Sequence, residues 1–143
     1  MSDRPSEIIQ ALIDKVEGES GQMGFQAVYY GDQAVIPATP VLCIGASVVD
    51  TELQPSRLNH DVHAYLLIYH GKIQDVQKNQ KEADELAEDL RDFLHLDPQL
   101  GGLIIQGYIQ RMESGYARRE NSLMSTHRMT WHAMTRTVNP FGA

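Results

Sequence analysis

Apolar and polar positions alternate with two different periods along this chain. Across residues 75–95, DVQKNQKEADELAEDLRDFLH, the side chains Val76, Ala83, Leu86, Ala87, Leu90, Phe93 and Leu94 recur on one face of a 3.6-residue period. Glu82, Asp84, Glu85, Glu88, Asp89, Arg91 and Asp92 fill the opposite face. Ala, Leu, Glu, Lys and Gln are strong helix formers, so propensity and pattern agree on one long acidic helix. Asp75 is placed to cap it, because a carboxylate accepts the orphan N–H groups of a first turn. Asp97-Pro98 stops it, since proline disfavours the α conformation in the residue before it. Gly101-Gly102 then supplies positive φ for the turn that follows. Residues 77–81 are polar all round and suit a solvated helix end better than a partner surface.

The remaining segments are shorter. Ser6 can cap a short N-terminal helix whose face carries Ile8, Ile9, Leu12, Ile13 and Val16, with Pro5 before the cap and Gly18 after the last apolar residue. Residues 17–24, EGESGQMG, read as a loop. A strand is predicted over residues 25–30 and a second begins at 33–36, where Pro37 and Pro40 argue for an edge or a bulge. Residues 41–49 continue it. The polar run 50–61, DTELQPSRLNHD, reads as a long connection of the kind that often makes contacts. Residues 63–70, HAYLLIYH, are apolar on both faces and read as a central strand. Strands follow over 103–111 and 123–137, with a turn at 113–116 and a short tail from 138 to 143. In the last strand Met129, Trp131 and Ala133 alternate with Arg128, Thr130 and His132.

The sum is a single α+β domain over residues 1–143: a helix within 1–18, strands across 25–70, a helix over 75–95 and closing strands across 103–137. At this size one core buries about 68–70% of the surface of the unfolded chain. No run of 18 apolar residues is present, so no transmembrane helix is predicted. The opening MSDRPSEIIQ does not read as a secretory signal. Cys43 is the one cysteine, so an intramolecular disulfide is excluded and a reducing compartment fits. Its setting between Leu42 and Ile44 suits a buried, inert thiol.

Charge changes the picture more than composition does. The formal net charge is −7. Residues 1–110 carry 7 basic and 17 acidic side chains, whereas residues 111–143 carry 5 basic (Arg111, Arg118, Arg119, Arg128, Arg136) and 2 acidic. A negative chain suits tight binding of duplex nucleic acid poorly, because that affinity comes from neutralised phosphates. An acidic face and an arginine-bearing face on one molecule can instead meet head to tail around a ring. Solvated arginines on strand faces and hairpin tips are the alternative explanation of the same asymmetry.

Reactive motifs are not seen. There is no GxxxxGK[ST], no GxGxxG after a strand, no HExxH and no GxSxG. The six histidines, His60, His63, His70, His95, His127 and His132, lack the close pairing of structural zinc ligands, and His63 and His70 fall on opposite faces of a flat strand. The acidic helix face could pair carboxylates for hydrolysis, but solvation explains it more simply. The reading from the residues is a chain without metal, cofactor or catalytic centre.

The segments LLIYHGKIQD, DLRDFLHLDPQLGG and LIIQGYIQRMESGYARRENSLMSTHRMTWHAMTRT resemble the tail terminator proteins of long-tailed bacteriophages, relatives of the small tail-completion and neck proteins. The resemblance covers residues 25–138 and lies in the order and length of elements. It implies a mixed, mainly antiparallel sheet with one long helix packed on it, a short N-terminal helix, and a closing hairpin with a tyrosine-bearing turn at Gly115-Tyr116-Ala117. It implies no enzyme activity. It also implies a six-fold ring of identical subunits, in the virion tail or neck, that caps the head-proximal end of the tail tube, stops its growth and docks the head-tail connector. DNA passes through such a ring without tight binding. A head-closure protein or a tube-end adaptor shares the same plan, and a small metal-dependent hydrolase is the reading from a different class.

Candidate interface residues follow from exposure of charge and aromatic surface. They are Arg118, Arg119 and Tyr116 near the closing hairpin, Tyr29 and Tyr30, Arg57 in the 50–61 connection, and Glu85 and Asp89 on the acidic helix. Core tyrosines and a solvated loop are the competing reading.

Overall fold

Alternation in the sequence becomes a single mixed sheet in the computed structural model, which describes residues 1–72, 76–119 and 122–138. Its strands are β1 (Ala27–Tyr30), β2 (Val41–Gln54), β3 (Arg57–Lys72), β4 (Gln106–Arg119) and β5 (Ser122–Val138), in the order β1-β2-β3-β5-β4. β1 runs parallel to β2, and the other neighbours are antiparallel. The helices α1 (Pro5–Glu17) and α2 (Val76–His95) pack on one face. The α+β class with a mixed, mainly antiparallel sheet is therefore the observed one.

Period-two burial fixes which face meets the helices. Val62, Ala64, Leu66 and Ile68 of β3 and Met129, Trp131 and Ala133 of β5 are buried together. Against them lie Ile8, Ile9, Leu12, Ile13 and Val16 of α1 and Ala87, Leu90 and Leu94 of α2. The helical stripes read from the sequence thus close the core, with Leu86 and Phe93 partly buried and the side chain of Val76 outside the described ones. The region 63–70 is indeed central, because β3 sits between β2 and β5 along its whole length. The opposite face of the sheet holds a smaller cluster of Val41, Cys43, Tyr69 and Met124, which Ile36 covers.

Several boundaries differ from the expectation, each for a local reason. Ser6 does not cap α1: the helix starts at Pro5, Arg4 is the cap residue and no side chain caps it. Proline fits a first helical position because its missing N–H would be unpaired there. Residues 33–36 form no strand; they belong to an irregular crossing that returns the chain from β1 to the start of the parallel β2. The loop expected at 50–61 is a β-hairpin, with Gln54 paired to Arg57 around Pro55-Ser56 and Ser56 at φ 63. Its polar side chains reflect exposure on β2, not lack of strand structure. The turn expected at 113–116, with Tyr116, lies inside β4. The loop at 17–24 contains a left-handed turn, with Gly21, Gln22 and Met23 at φ 63, 49 and 58. The cap expected at Asp75 and the tail beyond residue 138 lie outside the described residues.

Two close approaches lock the core face to its neighbours. Gly107 in β4 faces Trp131, and a Cβ at that position would overlap the indole ring. Trp131 is itself buried between sheet and helices and cannot swing away. Gly107→Ala is expected to lower stability by about 1–3 kcal/mol, the usual range for overpacking a core. Chemical denaturation checks it, and an unchanged midpoint would show that the indole has room to move.

Candidate functional site

The crossing segment, residues 31–40, is held to the sheet by a charged cluster. Tyr69 on β3 donates its hydroxyl to Asp32 Oδ1 at 2.6 Å, and Arg119 at the end of β4 reaches Asp32 Oδ2 at 2.7 Å. Arg119 also donates to the Tyr69 hydroxyl oxygen at 2.6 Å and to the Gln33 carbonyl at 3.0 Å, with its guanidinium over the Tyr69 ring. Burial raises the Asp32 carboxyl, but the hydrogen bonds from Tyr69, the Gln33 amide and Arg119 outweigh it and hold the carboxyl below its usual range. Burial, then the bond to Asp32, pushes the Tyr69 hydroxyl upward. Residues 32–34 with Arg118 and Arg119 line an open cleft of about 420 Å³. Beneath the crossing, burial pushes the Cys43 thiol up to about 12, which leaves it protonated and unreactive at neutral pH.

A second polar node ties α2 to the sheet. Asp84 Oδ1 accepts from Gln80 at 2.9 Å, from Ser114 at 2.8 Å and from His127 Nδ1 at 2.8 Å. Burial raises this carboxyl too, yet those three donors and the charge of His127 hold it below the ordinary value. An ionised carboxylate only accepts, so His127 Nδ1 must carry the proton. His70 adds a 3.0 Å contact to Glu82. The polar start of α2 is therefore partly engaged: Gln80 also reaches the Thr126 carbonyl at 3.3 Å.

On the far half of the outer face His63 and His132 stack at 4.5 Å, Tyr108 meets His132 edge-on, and Asp61 lies 3.2 Å from His132 Nε2. His63 and His70 do face opposite ways, toward this stack and toward α2. Among the described residues no three His, Cys, Asp or Glu side chains converge as metal ligands. The described helices are not long and apolar enough to cross a membrane.

The sheet ends on two unlike borders. β1 covers β2 only from Val41 to Ile44. From 46 onward β2 has β3 on one side and no described strand on the other, and residues 46–53 are all exposed. At the other border β4 pairs with β5 alone. The candidate interface residues distribute accordingly. Tyr116 (55% exposed) and Arg118 stand on β4, while Arg119 is committed to the Asp32–Tyr69 cluster. Tyr30 is exposed, and Tyr29 is half-buried against the smaller cluster. Arg57 is exposed beside the hairpin tip. Glu85 and Asp89 are exposed on α2, where they line a cleft with Pro40, His70, Glu82 and Leu86. The structure thus groups Tyr116 with Arg118 and Glu85 with Asp89, and leaves Arg57 apart.

Sequence reasoning missed Asp32, Tyr69, Asp84 and His127. No local signal marks them, since Asp32 and Arg119 are 87 positions apart.

Because the Asp84 carboxyl is depressed in the folded state, its stabilisation is present above the usual carboxylate value of 3.8 and is lost as pH falls through the folded pKa. Asp84→Asn is expected to cost about 1 kcal/mol at neutral pH, a modest figure because the group is partly exposed. The variant should also lose stability less steeply than the native chain on acidification below about pH 4. Denaturation midpoints across pH 2–7 check both, and parallel curves for the two proteins would remove the node from the account. The sequence matches no protein family model and no curated protein.

Proposed function

We propose that this chain is a virion structural protein of the tail-terminator kind. It forms a ring of identical subunits at the head-proximal end of a phage tail tube, stops tube growth and joins the tube to the head-tail connector. The observation that carries the reading is the pair of unlike sheet borders, each open over part of its length, one acidic and one bearing arginines, on a molecule whose helix-facing core is already closed. A heterologous ring needs two such surfaces, which differ from each other and recur on every subunit.

Two features support it. The element order, a helix, strands, a second helix on the sheet and a closing strand pair, is the order the resemblance implies. The polar clusters also serve structure: Asp32, Tyr69 and Arg119 hold the crossing segment, and Asp84 holds α2. On this reading the chain makes no bonds of its own and takes no cofactor or metal. The net charge of −7 suits a channel that DNA traverses without being gripped. A head-closure or neck protein is the second reading, favoured by the same two-surface plan. It differs in binding the connector while ignoring tube ends.

Added to polymerising tube subunits, the purified chain is expected to shorten tubes in proportion to its amount, with rings on one tube end in negative stain. Tube lengths that do not change over a wide range of ratios would end the terminator role. Binding to connector without binding to tubes would favour the neck protein.

A further inference from the structure

The uncovered stretch of β2 is guarded only in part, by a bulge between Ala46 and Val48 and by the carboxylates of Asp50 and Glu52. Between residues 46 and 54 there is no lysine, arginine or proline, and Val48 and Leu53 are 51% and 65% exposed. Such an edge presents unpaired backbone groups to any strand that fits. β1 fills the border at 41–44, so an incoming strand can occupy only the part of β2 beyond it. β4 has no described strand on its outer side; there the Gly107 and Ile109 amides donate to the Pro98 carbonyl and to His95 Nε2, and the stretch from Arg111 onward pairs with β5 alone.

Strand direction favours the match. β2, β3, β5 and β4 alternate in direction, so β2 and β4 of one subunit run opposite ways. Rotation about an axis along the strands preserves direction. The next copy's β4 therefore arrives antiparallel to β2, the more stable pairing. Charge also favours it. On the outer face the β2 edge carries Asp50 and Glu52, and β4 carries Arg111, whose guanidinium also reaches its own Glu113 at 2.7 Å. Placing Asp50 opposite Arg111 sets Val49 across from Met112 on the helix-facing side, and lays residues 46–50 along β4 from Arg111 to Gly115. Pairing two β2 edges would instead set these carboxylates together and close a dimer with both β4 borders still open.

We propose that the β2 edge over residues 46–54 receives the part of β4 from Arg111 onward of a second copy of this chain as an antiparallel strand, so that neighbouring sheets join edge to edge around the ring. The inference rests on the ring reading above and specifies its lateral contact. Closing the sheet on itself also removes both exposed borders, which otherwise invite uncontrolled aggregation.

Complementary charge reversal tests it. One variant carries Asp50→Arg and Glu52→Arg, and the other carries Arg111→Glu. All three side chains are exposed, and circular dichroism and the unfolding midpoint confirm that each variant folds. Each variant alone is expected to assemble about tenfold less well than the native chain, because like charges now face each other at every junction. An equal mixture is expected to recover rings, since every junction in an alternating ring is again opposite in charge. Backbone amides of residues 46–54 should exchange with solvent more slowly in rings than in subunits. Rings that form normally in each variant, or that are not recovered by mixing, would overturn the edge pairing and leave the ring itself standing. So would native rings whose 46–54 amides exchange at the subunit rate. A native chain that makes no ring, alone or on tubes, would overturn both.

Discussion

Covering one side of the β3–β5 pair is the constraint from which the rest of the molecule follows. Leu66, Ile68, Met129 and Trp131 are buried by the apolar stripes of α1 and α2. Burying each such side chain is worth about 1.5–3 kcal/mol, so the central strands and the two helices form the stable body of the domain. Two helices suffice for that face. They leave the outer face to a short crossing segment, and among the described residues the borders of the sheet are covered only by β1 over Val41–Ile44 and by His95 and Pro98 at Ile109 and Gly107. The chain therefore spends its apolar surface in the middle and keeps backbone hydrogen-bonding capacity at the edges.

The polar clusters fit that division. Asp32, Tyr69 and Arg119 fasten the crossing segment where a single β-strand pairing of four residues would be a weak hold. Asp84 does the same for α2 through donors on α2, β4 and β5. In each, a partly buried carboxylate is kept ionised by several donors at once, which is the condition under which such a group stabilises a fold. Clusters of this geometry invite a catalytic interpretation, yet every donor in them is turned toward the protein's own segments. Function is then sought at the surfaces left unsatisfied.

How much of this the sequence discloses depends on whether the signal is periodic. Helical stripes such as Ile8, Ile9, Leu12, Ile13 and Val16 are legible because the 3.6-residue period repeats within one segment, and the α+β class follows from them. The alternation of Met129, Trp131 and Ala133 against Arg128, Thr130 and His132 is legible for the same reason. Residues 50–61 read as a loop because they join the uncovered end of β2, exposed on both faces, to a hairpin tip and the polar start of β3, a composition that loops share. Gly115-Tyr116 suggested a turn, but glycine there lies opposite Thr126 in a continuous ladder. The Asp32–Tyr69–Arg119 cluster is invisible in sequence, since only the folded sheet brings three distant segments together. The uncovered borders are equally invisible, because what defines them is the strand order and not any residue type.

The account as a whole holds that these borders are occupied by other copies of the same chain. Electron cryomicroscopy of the assembled protein on tube ends measures that most directly. The account predicts a closed ring in which the sheet runs without a break from subunit to subunit, β4 of each copy lying beside residues 46–54 of the next. Rings held together through α2 with both sheet borders facing solvent, or particles that remain single subunits beside intact tubes, would contradict it.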